Sequence, residues 1–210
     1  MILAFSEARD PHMNMITNVI ADPVGALRQK VGAYAPAHDL PAILESILDG
    51  YVLSLNGYHS VAHWARVMEN GLRIGEANGA DLEVVVLFAL FHDSRRINEG
   101  TDRPHGLRGG KFASSLRGEL VHLSDDRFEM LYEACRLHSE GHTTEDATLG
   151  ACWDADRLDL GRVGITPEAD RLCTEQGRQM IEWAHARAIV NRRAYDIFEA
   201  LRFTKIWQLS

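Results

Sequence analysis

The sequence predicts an all-α protein. Apolar residues recur at helical spacing in several segments, and no alternating run is long enough to indicate a strand of more than a few residues. Asn-Gly pairs at 56–57 and 78–79 separate neighbouring helical segments, because these residues favour turns. The chain also lacks internal repeats and low-complexity segments. These observations favour a bundle of helices with short connections.

The composition is that of a globular protein and excludes several kinds of partner. A chain of 210 residues suits one domain, and we expect a lead with a short helix over 1–36 and a single helical domain over 37–210. The net charge of -8 argues against binding to nucleic acid or to an anionic membrane surface. No apolar run approaches the ~18 residues of a membrane span. The three cysteines form no CxxC pair, which indicates reduced thiols in a cytoplasmic protein.

The helices follow one another along the chain with recognisable starts and stops. Asp81 is a predicted N-cap, and the glycine-rich stretch 97–112 is predicted to be a functional loop. The spacing of apolar residues in the C-terminal part predicts one long amphipathic helix. The approximate predicted helices are 21–33, 40–55, 59–77, 81–93, 125–138, 145–160 and 174–203.

A His-Asp pair is the first candidate functional site. His92 and Asp93 follow the apolar run 84–91, and adjacent side chains converge on one point only near a helix end. Imidazole and carboxylate together are ligands for a divalent metal. His59 and His63 lie four residues apart, on one face of the preceding predicted helix. Taken alone, the His-Asp pair is more typical of a capped helix end, and two histidines at this spacing are more often a surface pair or a hydrogen-bonded core pair than metal ligands.

Acidic residues late in the chain complete a possible ligand set. Asp154, Asp156 and Asp159 lie among apolar residues in CWDADRLDLGRVGI, with Arg157 beside them. The surrounding apolar residues indicate a packed segment, although three acids also suit the solvent face of a helix. The spacing does not choose among them.

Three motifs together resemble the HD superfamily of metal-dependent phosphohydrolases. The motifs HWARV, FHD and DADRLD occur in the family's order, within about 40–165. The resemblance implies a helical bundle whose metal ligands are His63, His92, Asp93 and Asp156. Asp154 remains an alternative last ligand, because the doubled Asp permits a shift of two residues.

The resemblance also implies roles for other residues. YHSVAHWARV is similar to a motif of cyclic-nucleotide phosphodiesterases in which the first histidine is a general acid, here His59. His138 is a second candidate proton donor, and Arg95 and Arg96, together with Arg157, are candidates to offset the charge of phosphate. Mn²⁺, Fe²⁺, Ni²⁺, Co²⁺ and Zn²⁺ all suit the ligand set. We expect one ion. Three further histidines could hold a second ion: His105, His138 and His142.

The expected function is that of a metal-dependent phosphohydrolase, in which a metal-activated water cleaves a small phosphate ester. We expect the substrate to be a nucleotide, and a homo-oligomer remains open. The alternatives are a diiron oxygenase on the same scaffold, resembling myo-inositol oxygenase, and a non-catalytic nucleotide-binding module. Ser94, Arg95 and Arg96 stand where many family members have Gly-Lys, but arginine also binds phosphate. The HHE and GYP segments typical of cyclic-di-GMP hydrolases are missing.

Overall fold

The computed structural model describes residues 33–190, and in this range it contains α-helices, short 3₁₀ turns and no β-strand. The prediction of an all-α fold is therefore confirmed. Two 3₁₀ turns, Leu160–Val163 and Ala169–Arg171, lie between the last long helix and the C-terminal pair. The helices are α1 (Leu40–Asp49), α2 (Val61–Asn78), α3 (Leu82–Phe91), α4 (His105–Ser115), α5 (Asp125–Leu137), α6 (Ala147–Arg157), α7 (Glu175–Gln179) and α8 (Ile181–Ile189).

Helix α3 is the central element of the bundle. Every residue from Val84 to Phe91 is buried, as expected for a helix that is apolar on all sides. It contacts α1, α2, α4, α5 and α6, so its neighbours enclose it almost completely. The predicted cap is confirmed, because the Asp81 carboxylate accepts hydrogen bonds from the backbone N–H groups of Glu83 and Val84, both at 3.2 Å. The enclosed helix ends at the His-Asp pair and thereby brings it into the core.

The glycine-rich stretch 97–112 is a loop only in its first half, and this corrects the prediction. From His105 onward it forms α4, whose glycines permit close packing on two neighbours. A Cβ atom at Gly106 would lie 2.2 Å from the Cys135 carbonyl oxygen, and one at Gly109 would lie 2.2 Å from that of Phe91. The glycines therefore mark close approaches of helix backbones rather than a mobile loop.

Helix α1 ends well before the Asn56-Gly57 pair that the sequence indicated. The guanidinium of Arg95 donates to the carbonyl oxygens of Ile47 (2.8 Å) and Ser46 (3.2 Å) at the end of this helix. The Ile47 carbonyl also accepts from the Gly50 N–H at 3.3 Å. Carbonyl groups in the last turn of a helix lack the full set of partners within the helix, so the arginine completes their hydrogen bonding and stabilises the early stop. The early end of α1 could not be predicted from the local spacing of apolar residues, because it depends on a side chain from a distant part of the chain.

The long helix predicted over 174–203 is divided within the described residues. Its first part, α7, ends at Gln179, and Met180 adopts a turn whose N–H donates to the Gly177 carbonyl at 3.0 Å. The start of α7 is held by Asp154, which accepts from the N–H (2.8 Å) and the hydroxyl (2.7 Å) of Thr174. Helix α8 begins directly after this turn, at Ile181. Positions 191–203 lie outside the described residues.

Most of the predicted N-terminal lead over 1–36, with its short helix, also lies outside the described residues, and the division into a lead and a domain remains a prediction. Among residues 33–190, no helix combines the length and the apolar character needed to cross a membrane.

We predict that Gly109→Ala destabilises the protein. Helix propensity alone would favour alanine by about 1 kcal/mol. The new methyl group would meet the Phe91 backbone, which cannot move without displacing α3, so we expect a net loss of about 1–3 kcal/mol in the free energy of unfolding. Chemical denaturation measures this value. Lys111→Ala, at an exposed position of the same helix, is the control and should change it by less than about 0.5 kcal/mol. A stabilised Gly109→Ala variant would contradict the close packing.

Candidate metal centre

His63 is held in one tautomer by a buried carboxylate. Its Nδ1 lies 2.7 Å from Asp159 Oδ2, and Arg66 in turn donates to Asp159 at 2.6 and 3.0 Å. Burial opposes ionisation of Asp159, but the hydrogen bond from His63 and the nearby Arg66 and Arg162 outweigh it and lower the pKa of this carboxyl. An ionised carboxylate only accepts, so Nδ1 carries the proton. The Nε2 lone pair of His63 is therefore available for a metal.

His92 is oriented in the same way by the end of α3. Its Nδ1 lies 3.1 Å from the Phe88 carbonyl oxygen and 3.2 Å from that of Ala89. Carbonyl oxygens accept only, so this nitrogen is the donor and Nε2 again carries the lone pair. The Nε2 atoms of His92 and His63 face one another at 3.1 Å. The predicted convergence of His92 and Asp93 occurs as expected, because the helix ends at Phe91.

The sequence-predicted metal ligands lie together in one buried group. His63 Nε2 is 3.4 Å from both Asp93 Oδ2 and Asp156 Oδ1, and His92 Nε2 lies 3.7 and 4.0 Å from the same oxygens. A tetrahedral ion with ligands at about 2.1 Å requires ligand atoms about 3.4 Å apart. The spacing of these four groups therefore suits one divalent ion.

A second group shares Asp93 with the first. The other carboxylate oxygen of Asp93, Oδ1, lies 3.2 Å from His105 Nε2 and 3.7 Å from His138 Nε2, and these two nitrogens are 2.9 Å apart. His138 Nδ1 donates to the Cys135 carbonyl at 2.7 Å, and His105 Nδ1 donates to the Asp102 carbonyl. Two imidazoles and a carboxylate also form a possible metal site.

The chemistry of both groups fits a cation better than an apolar or hydrogen-bonded core. Within each group two imidazole nitrogens face one another, although the Nδ1 proton of each ring is already donated elsewhere. Asp93 Oδ1 and Asp156 Oδ1 are buried without a hydrogen-bond partner. A buried polar atom left unpaired costs about 1–3 kcal/mol, and metal coordination would satisfy all of these atoms.

The protonation states of His92, His105 and Asp93 suit metal binding, whereas His138 would have to lose a proton to bind a metal. Burial lowers the pKa of His92 to about 3 and that of His105 to about 4, so both rings are neutral near pH 7. Burial also opposes a charge on His138, but its interactions with the nearby carboxylates of Asp93 and Asp156 outweigh this and raise the pKa of the ring. Burial disfavours the ionised Asp93, yet the neighbouring histidines, His92 first, lower the pKa of its carboxyl well below the usual value. Asp93 is thus an anion in the core.

His59 lies near this centre but belongs to neither ligand group. It precedes α2, which begins at Val61, so the predicted helical start was two residues early. Its ring centroid is 6.2 Å from that of His63, and its Nδ1 lies 2.5 Å from Glu99 Oε2. Burial lowers the pKa of His59, although Asp93 opposes this shift. The position next to the ligands remains consistent with the proton donor that the sequence predicted.

The predicted arginines have different surroundings. Arg95 binds the carbonyl groups at the end of α1 and stacks on Phe112, with 3.4 Å between the guanidinium carbon and the ring centroid. These contacts are structural, and the predicted contact of Arg95 with phosphate stays a prediction. Arg96 does border the centre, because its Nη1 lies 3.6 Å from Asp93 Oδ1. Arg157 donates to the backbone carbonyl groups of Arg171 and His142, and not to any ligand.

Two other candidates are not part of the centre. Asp154 accepts hydrogen bonds from Cys173 N–H and from the N–H and hydroxyl of Thr174, so it anchors the start of α7. Its position does not favour the alternative of Asp154 as the last ligand, whereas Asp156 lies beside His63 and His92, where the sequence-based prediction places that ligand. The side chain of His142 is exposed and lies outside both groups, in contrast to the expectation that it helps to hold a second ion.

Three residues near the centre had no predicted role. Asp159 orients His63, Glu99 contacts His59, and Arg162 places its Nη2 3.6 Å from Asp156 Oδ1. Asp159 was visible as one of three acids among apolar residues, but its function depends on a contact across 96 positions of sequence. Arg162 follows Asp156 by six positions, and only the 3₁₀ turn Leu160–Val163 directs it back toward the carboxylates.

Cavities border the centre on both sides. One cavity, of about 590 Å³, is lined by Ser54, Asn56, Gly57, Tyr58, Glu99, Arg162, Ala188 and Ile189. Another, of about 400 Å³, is lined by Arg96, Gly100, Thr101, Asp102, Arg103, His105, Ser139 and Glu140. Each therefore includes an arginine that approaches one of the two ligand groups.

Comparison with known proteins gives a structural relative. The crystal structure of a predicted HD superfamily hydrolase from an uncultured Thermotogales bacterium has a TM-score of 0.56 and 26% sequence identity to this chain. The match covers 79% of this chain and 91% of the relative. No family model and no curated protein matches the sequence.

We predict that Asp156→Asn and Asp154→Asn have different effects. Asp156→Asn should lose most of the bound metal, because an amide is a poor ligand. Its metal-free form should melt at about the temperature of the metal-free wild type, because Asp156 Oδ1 has no hydrogen-bond partner to lose. Asp154→Asn should retain the metal and melt at a lower temperature, since it weakens three hydrogen bonds at the start of α7. Metal analysis and thermal denaturation of both variants test this. Metal loss in Asp154→Asn alone would reverse the assignment.

Proposed function

We propose that the chain is a metal-dependent phosphohydrolase of the HD superfamily that cleaves a phosphate ester of a nucleotide or a similar small molecule, because its fold and three of its motifs resemble those of this superfamily. The observation that carries the proposal is the shared carboxylate of Asp93, whose two oxygens face two separate pairs of histidines. Free thiols at Cys135, Cys152 and Cys173 agree with a reducing compartment such as the cytoplasm.

The ligand atoms fit two divalent ions. His63, His92 and Asp156 with one oxygen of Asp93 would hold the first ion. His105 and His138 with the other oxygen would hold the second, so we expect two ions rather than the single ion expected from sequence. Divalent ions at this centre would lower the pKa of a water molecule and polarise a phosphoryl oxygen.

The residues of the chain would divide the remaining work of hydrolysis. Water oxygen would attack phosphorus, the ester P–O bond would break, and the leaving oxygen would need a proton. His59 is suited to supply it, since Glu99 accepts the Nδ1 proton and stabilises a positively charged ring. Burial lowers the pKa of free His59, and a phosphate anion bound nearby would raise it again. The His59 ring would then be protonated when the substrate is bound.

Specific observations also favour a second candidate, a diiron oxygenase. The group of Asp93, His105 and His138 is a set of two histidines and one carboxylate, which also occurs at non-haem iron centres. An oxygenase does not need arginines around its centre, whereas Arg96 and Arg162 lie within 3.6 Å of the two ligand carboxylates. Positive charge beside the centre suits a phosphate ester. We therefore place hydrolysis first.

Metal content and activity of the purified protein test the proposed function. Protein prepared without chelator should contain about two Mn, Co, Ni, Zn or Fe ions per chain and release inorganic phosphate from nucleotides. Asp93→Ala should lose both the metal and the activity, because it removes a ligand from each group. Circular dichroism should show unchanged helical content in this control. Two irons per chain with oxygen consumption and no phosphate release would favour the oxygenase instead.

We predict that His59→Ala retains the metal but slows turnover. The side chain lies outside both ligand groups, so its loss leaves coordination intact. Removal of a general acid should lower kcat by about 10²- to 10⁴-fold for a nucleotide. The reduction should be much smaller for p-nitrophenyl phosphate, whose leaving group hardly requires a proton. His63→Ala is the control and should lose metal and act poorly on both substrates. Comparable metal loss in the two variants would make His59 a ligand.

A further inference from the structure

Arg162 is a buried arginine whose hydrogen-bonding capacity is largely unused. Its side chain is 7% exposed, and its Nε donates to the Tyr58 carbonyl at 3.1 Å. Its Nη2 lies 3.6 Å from Asp156 Oδ1 and its Nη1 lies 3.9 Å from Asp159 Oδ2, both beyond hydrogen-bond range. Nη1 is buried with no hydrogen-bond acceptor. A buried polar group without a partner requires an explanation, and an anion that binds to the guanidinium would supply one.

The two nearby carboxylates do not account for this arginine. Asp159 already receives two hydrogen bonds from Arg66, at 2.6 and 3.0 Å, and one from His63. Asp156 offers its Oδ1 to the histidines of the first ligand group and has no hydrogen bond to Arg162. Arg162 therefore lies close enough to both carboxylates to stabilise their charge, but it donates a hydrogen bond to neither of them.

Arg96, on the other side of the centre, differs in this respect. Its Nε donates to the Asn98 carbonyl at 3.3 Å and its Nη2 donates to that of Gly100 at 2.7 Å. Its Nη1 contacts His105 at 3.2 Å. These contacts fix the loop before α4 and leave few free N–H groups. Arg162 is thus better suited than Arg96 to bind an incoming anion.

The cavity of about 590 Å³ begins at Arg162 and is large enough for a small organic molecule. Ser54, Asn56 and Glu99 give one side of its lining hydrogen-bonding groups. Ala188 and Ile189 give it an apolar part.

Tyr58 also lines this cavity, and its ring is unusually accessible. The residue is 57% exposed although it is aromatic, while its backbone carbonyl holds Arg162 in place. An exposed ring beside a polar cavity suits stacking against a flat heterocycle. Hydroxyl groups of a sugar would meet the polar side of the same cavity.

We propose that Arg162 binds the phosphoryl group of the substrate and that the adjoining cavity holds a nucleoside, so that the substrate class is a nucleoside monophosphate. The inference rests on the proposed function and specifies its substrate. Arg162 lies beside Asp156, where a phosphoryl group would contact the first ligand group and the guanidinium together. The free Nη1 group would donate to a phosphoryl oxygen, and the base would stack on Tyr58.

Inorganic phosphate is the probe that tests Arg162 independently of turnover. In Mn²⁺-loaded protein, titration calorimetry should show about 10-fold or greater weakening of phosphate binding in Arg162→Met. Its kcat/KM for adenosine and uridine monophosphates should fall by about 10²- to 10³-fold with unchanged metal content. Arg162→Lys should be intermediate, because lysine keeps the charge and loses the planar donor pair. Arg171→Met, at a side chain that is 67% exposed, is the matched control and should behave as wild type.

A second variant tests the nucleoside part of the proposal. Tyr58→Ala removes the ring and keeps the backbone carbonyl that holds Arg162. It should raise KM for the nucleoside monophosphates by about 3- to 10-fold and leave KM for glycerol 3-phosphate unchanged. Equal KM changes for both substrates, or a wild-type preference for glycerol 3-phosphate, would overturn the assignment of the cavity.

The outcomes separate this inference from the proposed function. Wild-type phosphate affinity and kcat/KM in Arg162→Met would overturn the role of Arg162 and leave hydrolysis standing. A second outcome is that the wild-type protein binds phosphate but hydrolyses no phosphate ester, while Arg162→Met binds phosphate more weakly. The hydrolase proposal would then fail and the anion site would stand. If Arg162→Met does not fold, Arg162→Lys tests the proposal instead. A wild-type kcat/KM in that variant would show that the two N–H groups of the guanidinium do not bind the phosphoryl group together.

Discussion

The buried carboxylate of Asp93 is the constraint on which the rest of the centre depends. It is 1% exposed, and burial of an isolated anion in the core is strongly unfavourable. Both of its oxygens therefore need a positive charge nearby, and two pairs of histidines that could hold cations lie beside them, from α2, the end of α3, the start of α4 and the end of α5. The glycines of α4 allow His105 to approach closely enough, because a side chain at Gly109 would push this helix away from α3.

Much of this arrangement was predictable because it follows from local patterns. The apolar run before His92 indicated a buried helix, and the Asp81 cap and the turn at Gly79 are visible as residue types at fixed offsets. The His-Asp pair could be recognised as a ligand pair because convergence of adjacent side chains requires a helix end. The order of the histidines and acids in the chain then indicated a family whose fold the structure matches.

The remaining features depend on contacts between distant parts of the chain. Arg95 was expected to bind phosphate, but its guanidinium completes the end of α1, a partnership that no local pattern contains. Local sequence does not distinguish Asp154 from Asp156. The position of Thr174, which donates a hydrogen bond to Asp154, shows that Asp154 has a structural role. Glycines were interpreted as a loop signal, although Gly106 and Gly109 serve helix packing. The ambiguity arises because the same residue types serve both purposes.

The way in which the histidine rings are fixed has a consequence for how such a centre changes by mutation. His92, His105 and His138 donate their Nδ1 protons to backbone carbonyl groups, which every substitution leaves in place. His63 alone among the ligand histidines relies on a side chain, Asp159. Substitutions can therefore vary the basicity and the angle of one ligand and leave the other three unchanged. We therefore expect natural substitutions that alter the metal preference of such a centre to occur mainly at Asp159 and its partner Arg66.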